Sequence, residues 1–180
     1  MLFTHDTSYS LGFAAEWTNT AAGARLGQPE LLATASELDR FVRQWTFSGR
    51  HDRTEHEAAE VRAARERVRP LWHLERDALA DGVNAILTET NALPQLSRHD
   101  SYDWHIHAVA LDSPMATRML VEVAMALVDV VRADQADRLA SCEATDCVAL
   151  FFDASKNSSR RFCSTQCGNR MAVRLYRARH

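Results

Sequence analysis

The first 141 residues of this 180-residue chain contain no cysteine, and all four cysteines fall in the last 39. A thiol nucleophile is therefore absent from the larger part of the chain. No window approaches the roughly 20 consecutive apolar residues that span a bilayer. The opening stretch MLFTHDTSYS lacks a basic region followed by an apolar run, so it does not read as a secretory signal. The expectation is a cytoplasmic chain whose thiols stay reduced. Lysine is almost missing: Lys156 is the single one among 21 basic residues. That bias reads as genomic base composition, so arginine richness alone carries little. Internal repeats, low-complexity stretches and long linkers are also absent.

What the chain does have is uneven. Its net charge is −3, but residues 150–180 hold seven basic residues against Asp153 alone, a balance of +6. The rest is correspondingly acidic, which points to a polyanion meeting only the tail. Apolar residues make up 46% and charged residues 25%, the composition of a globular protein of one ordinary domain plus a small module.

The cysteines run Cys142-x4-Cys147-x15-Cys163-x3-Cys167. Two short pairs joined by a longer spacer are the arrangement that delivers four thiolates to one tetrahedral Zn²⁺. A disulfide or redox role is the competing reading, disfavoured by the expected compartment. A tail of some 40 residues buries little apolar surface, so the metal supplies folding free energy. Four thiolates leave no open position for water, so the zinc is structural and one ion per chain is expected.

Periodicity assigns a mainly α (α+β) fold: a helical domain over residues 1–138 with one β-hairpin, then a treble-clef-like zinc module over 139–180. Helices are expected over 8–20, 36–47 with Ser36 as cap, and 54–69, opened by a Thr54-x-x-Glu57 capping box. Pro70 is expected to open a further helix that stops near Gly82, and 83–92 to form another. Residues 103–109 alternate as a strand does, with a partner in 94–101. Residues 115–132 form the most apolar helix, the spine of the core. In the module, 148–152 and 160–162 are expected to pair as a hairpin, and 165–178 to form the last helix.

On that last helix Arg170, Arg174 and Arg177 share a face, and Arg160 and Arg161 on the hairpin extend it. Guanidinium groups in a row fit phosphate contacts, which makes DNA the expected partner. The bland alternative is a solvated face, or arginines pairing with the acidic body. In the body, His5, Asp6, His99, Asp103, His105 and His107 form a candidate ligand pocket. His105 and His107 project from one strand face about 7 Å apart along it. Such a pair can hold a metal, bind an anionic effector or titrate near neutral pH. Packing and backbone capping are the plain alternative. Trp17, Trp45, Trp72 and Trp104 could wall a cleft nearby.

The tail Cys163-Ser-Thr-Gln-Cys167-Gly168-Asn169-Arg170 resembles the CGNR zinc finger, with agreement upstream at Cys142, Cys147, Asp153 and Arg160-Arg161-Phe162. The body resembles the ABATE domain of stress-induced transcription regulators of actinobacterial type. The matching pieces are His5-Asp6-Thr7, Asn19-Thr20, Val61-Arg62, Trp72 and Asp103-Trp104-His105. The resemblance implies a one-zinc, DNA-binding or DNA-associated regulator with a helical sensory body. The expectation is accordingly a regulator and not an enzyme, whose body senses a small-molecule effector or mediates homodimerisation. One departure is the last spacer, three residues where many members have four, which alters a turn but keeps the ligands. Two other readings stay open: a zinc-stabilised protein–protein interaction module without DNA binding, and an enzyme centred on the His/Asp cluster.

Overall fold

Thr4, Thr34 and Thr54 open the first three helices, each with its hydroxyl accepting a backbone N–H from the residue three positions on. The computed structural model describes residues 3–45, 47–98 and 104–179. Helix α1 is His5–Thr18, α2 Ala35–Gln44 and α3 Glu55–Leu71. Thr34, not Ser36, caps α2, and with Glu37 it completes a reciprocal capping box. Glu57 does not close such a box with Thr54. Its carboxylate reaches further back and accepts from the N–H groups of Asp52 and Arg53 at 3.1 and 2.9 Å.

The expected breaks at Pro70 and Gly82 are not where the helices end. Pro70 lies in the last turn of α3, and α4, Arg76–Glu89, runs through Gly82 as one helix. A Cβ at Gly82 would come within 2.7 Å of Leu71 Cδ2. The glycine thus permits close approach of α4 to the end of α3, and its role is packing rather than termination. Helix α5, Met115–Arg132, is the expected spine: Met119, Val123, Ala124, Leu127 and Val130 are wholly buried, and it packs on α1, α3 and α4.

Strands β1, Gln95–Ser97, and β2, His105–His107, pair antiparallel with Leu96 opposite Ile106. A 3-10 turn at Ala136–Arg138 leads into β3, Leu139–Ser141, which pairs antiparallel with β4, Leu150–Phe152. This corrects the expected hairpin. Residues 160–162 form no strand. The Arg160 N–H is taken by the Asp153 carboxylate, and the Arg161 carbonyl accepts from Glu143 N, so the segment clasps the cysteine turn instead. Helix α6, Thr165–Arg179, closes the chain. The order of a cysteine turn between two strands, an irregular return and a ligand-bearing helix keeps the treble-clef-like module.

Leu139, Leu150 and Phe152 belong to the main hydrophobic core, together with Trp17, Trp72 and Phe13 of the helices. A second, small cluster surrounds Cys142, Ala144, Cys147, Ala149 and Cys167. Among the described residues no helix is long and apolar enough to cross a membrane.

Candidate metal centre and basic face

Two local structures bring the sulfurs together. Cys142 and Cys147 flank the turn between β3 and β4, closed by the Cys142 N–H donating to the Ala149 carbonyl at 2.9 Å. Cys163 and Cys167 sit at the start of α6, where the Cys167 N–H donates to Ser164 Oγ at 3.2 Å. The four Sγ atoms lie within 4.8 Å of one another, the one such group of ligand atoms among the described residues. Cys147 and Cys163, and Cys163 and Cys167, have sulfurs 3.7 Å apart.

Those distances discriminate between the two chemistries. A disulfide needs about 2.05 Å between sulfurs. A tetrahedron of thiolates around zinc, with bonds of about 2.3 Å, places its sulfurs about 3.8 Å apart. The cysteines are free thiols at the second spacing, so the residues fit one Zn²⁺.

The crowding is visible in acidity. Burial, reinforced by the neighbouring thiols, pushes Cys163 up to about 12. Burial also raises Cys147. At Cys167 burial acts upward as well, but hydrogen bonds from Ser164, Cys163 and Arg170 prevail and bring it down to about 7. A divalent cation at the centre relieves the crowding by replacing protons.

The arginine face was legible, but its occupants were not. Arg170 and Arg174 lie one helical turn apart, as expected, and the carboxylate of Asp146 sits between them. Arg170 Nη2 donates to Oδ1 at 2.6 Å. Arg174 Nη2 is 2.9 Å from Oδ2, an ion pair without hydrogen-bond alignment, and its Nη1 donates to Thr145 Oγ1 at 2.6 Å. Arg170 also donates to Cys167 Sγ at 3.4 Å, which ties the basic face to the metal ligands. Arg161 pairs with Glu143 at 2.5 Å. Arg160 donates to the carbonyls of Phe162 and Cys163 and stacks over Phe151 at 4.6 Å. Arg177 is exposed, and no described residue hydrogen-bonds or ion-pairs with it. Arginines do pair with acid groups, as the bland alternative had it. The acids, however, are Glu143 and Asp146 of the cysteine turn rather than the body.

The module is sewn to the body by polar contacts, three of them buried, that no spacing along the sequence reveals. Asn19 exchanges two hydrogen bonds with Leu150. Trp72 Nε1 donates to the Phe151 carbonyl at 3.2 Å, and Arg69 to the Val148 carbonyl at 3.0 Å. The Val148 N–H donates to the Ala24 carbonyl at 3.1 Å.

The candidate pocket of the body is only partly brought together. His99 and Asp103 lie outside the described residues. His5 and Asp6 begin α1, both with highly exposed side chains, 3.7 Å apart. His105 and His107 meet, with Nε2 atoms 2.9 Å apart. Glu122 of α5, which no motif or spacing singles out, lines a cavity with His107. The four tryptophans wall no common cleft: Trp17 and Trp72 are core residues, and Trp104 is exposed beneath Arg98.

A family model described as "CGNR zinc finger" matches residues 138–180. A second, described as "Putative stress-induced transcription regulator" and abbreviated ABATE, matches residues 12–134. No curated protein matches the chain.

Proposed function

Because the chain belongs to the ABATE family and ends in a CGNR zinc finger, we propose that it regulates transcription by binding DNA through its zinc module. In this reading residues 139–180 form the DNA-binding unit and residues 1–138 a unit that senses a small-molecule effector or joins two copies. The pocket of His5, Asp6, His99, Asp103, His105 and His107 is its effector side. The zinc is structural: it holds the start of α6 so that the helix projects a row of guanidinium groups.

The carrying observation is the state of α6. Cys167 is its single buried residue among those described, while Arg174 is half-exposed and Arg177 exposed. A helix clamped at one end and solvated along its length presents Arg170, Arg174 and Arg177 to a phosphate backbone, with Arg160 and Arg161 beside it. One short module makes few contacts, so two copies acting together supply the affinity.

The test is DNA binding measured across salt concentration. The affinity should fall steeply as salt rises, because each neutralised phosphate releases counterions. An Arg174→Glu, Arg177→Glu double variant that still holds one zinc should lose binding. Affinity indifferent to salt, or unchanged in that variant, refutes the proposal.

A second reading has its own observation. Arg161, Arg170 and Arg174 already have carboxylate partners, and α6 exposes Val173, Leu175 and Tyr176. A mixed apolar and charged helix face also suits a protein surface. Binding to a protein partner that survives high salt, with no DNA affinity at any salt, selects that reading.

A further inference from the structure

His105 and His107 occupy the same, half-buried face of β2, and their Nε2 atoms are 2.9 Å apart. At that distance one imidazole donates a proton that the other accepts. The register against β1, with Ser97 opposite His105 and Gln95 opposite His107, holds both residues on one side of the hairpin. Imidazole nitrogens so placed also make a two-toothed clamp for a transition-metal ion. Around a tetrahedral ion with metal–nitrogen bonds of about 2.0–2.1 Å, two nitrogens stand about 3.4 Å apart. The rings therefore need to part by only about half an ångström to take a metal in place of the shared proton.

A carboxyl group stands behind them. Ser10 Oγ donates to Glu122 Oε1 at 2.6 Å and fixes the side chain on α5. Burial raises the Glu122 carboxyl above the ordinary range; Ser10 and His105 pull it down, and Asp6 pushes it further up. Glu122 thus interacts electrostatically with His105, and it lines with His107 a cavity of about 40 Å³. That volume admits more than one water molecule, and Ser48, His107, Arg118 and Glu122 supply the polar groups of a wall that is otherwise apolar. The carboxylate and both imidazoles do not yet share a 4.8 Å neighbourhood. An ion held by the two histidines would therefore have Glu122 as an outer carboxylate and not as a third direct ligand.

We infer that His105 and His107 bind a divalent ion of borderline softness, Zn²⁺, Ni²⁺ or Co²⁺, through Nε2, with Glu122 as the outer carboxylate. The site is distinct from the four-cysteine centre. It names the chemistry of the effector side and rests on the effector reading only for its regulatory meaning. Occupancy itself is independent of DNA.

The experiment uses the untagged full chain with its cysteine site filled to one zinc. Ni²⁺ is added and bound metal is counted after equilibrium dialysis. A second equivalent is expected, abolished in His105→Gln and in His107→Gln, and weakened about tenfold or more in Glu122→Gln. Retention of one zinc per chain confirms that each variant is folded. Absence of a second equivalent, or one that persists when both histidines are replaced, overturns the inference. The native chain supplies an independent readout, since added Zn²⁺ should shift the Nε2 resonances of His105 and His107. Shifts confined to other histidines overturn it equally. DNA affinity with and without the second ion tests the regulatory reading separately, because a bound ion that leaves DNA affinity unchanged refutes the effector role alone.

Discussion

Asn19 and Leu150 hydrogen-bond each other in both directions: Asn19 Nδ2 donates to the Leu150 carbonyl at 2.8 Å, and the Leu150 N–H donates to Asn19 Oδ1 at 2.7 Å. Asn19 is fully buried and forms the C-cap of α1. Its amide thus serves β4 as a neighbouring strand would. Removing it by Asn19→Ala leaves two main-chain groups unpaired away from water, at about 1–3 kcal/mol each. Chemical denaturation at fixed zinc should show a loss of about 2–6 kcal/mol for the two groups together, and Asn19→Asp, which lacks the donor, should also be destabilised. Stability equal to the parent would mean that water replaces the amide.

Zinc removal should be felt far from zinc. Leu139, Leu150 and Phe152 are packed in the main core, and Cys147 Sγ lies 3.7 Å from the Ala24 carbonyl of the body. A chelator is expected to lower the thermal midpoint of the whole chain in one transition, read by circular dichroism of the helices. Two transitions, with the helical one unmoved by chelator, would show that body and module unfold independently.

The acidity of the thiols sets a pH dependence for the metal. Cys163, pushed up to about 12, carries its proton at neutral pH, whereas Cys167, brought down to about 7, is about half ionised there. Zinc must expel the protons that remain. Affinity should therefore fall as pH drops, and more steeply below about 7, where Cys167 also binds a proton. Competition with a pH-insensitive chelator checks this, and a flat profile contradicts it.

The carboxylate of Asp146 lies between Arg170 and Arg174 and pairs with both. On the DNA-binding proposal, Asp146→Asn should raise affinity and steepen its salt dependence, because two guanidinium groups lose an internal competitor. Arg170→Ala should act on the metal instead, weakening zinc by about 10–100-fold through loss of the hydrogen bond to Cys167 Sγ. Equal effects of both substitutions on zinc and none on DNA would assign the pair to structure alone.

Asp153 organises the return toward the second cysteine pair. Its Oδ1 accepts from Ser155 N and its Oδ2 from Arg160 N, each at 2.8 Å. Burial pushes its acidity the other way, but these bonds and Arg138 hold the carboxyl below the ordinary range. Asp153→Ala should cost about 2 kcal/mol or more. The carboxylate's contribution is complete above its unfolded value, near pH 4, and is lost as pH falls through the lower folded one. Acid denaturation of the parent should accordingly be steeper below about pH 4 than that of Asp153→Asn.

Much of this molecule is local and therefore readable along the chain. Cysteine spacing announces the metal because two short turns are what a tetrahedron of thiolates requires. The apolar period of 115–132 announces the core helix, and the alternation around His105–Ile106–His107 announces a strand. Arg170 and Arg174 share a face because the helical repeat dictates it. Local signals failed where packing overrode them. Gly82 reads as a helix end and Pro70 as a helix start, yet Gly82 sits mid-helix to admit Leu71 and Pro70 is carried inside the last turn of α3.

What the sequence alone determined is the ligand set, the helical character and the uneven charge, all properties of neighbours in the chain. Which strand pairs with β4, that Asn19 reaches Leu150 across 131 residues, and that Asp146 rather than solvent meets Arg170 and Arg174 were decided only in three dimensions. Each depends on burial: a main-chain group or a charge removed from water must find its partner wherever the folded chain brings one. No spacing along the sequence encodes that distance.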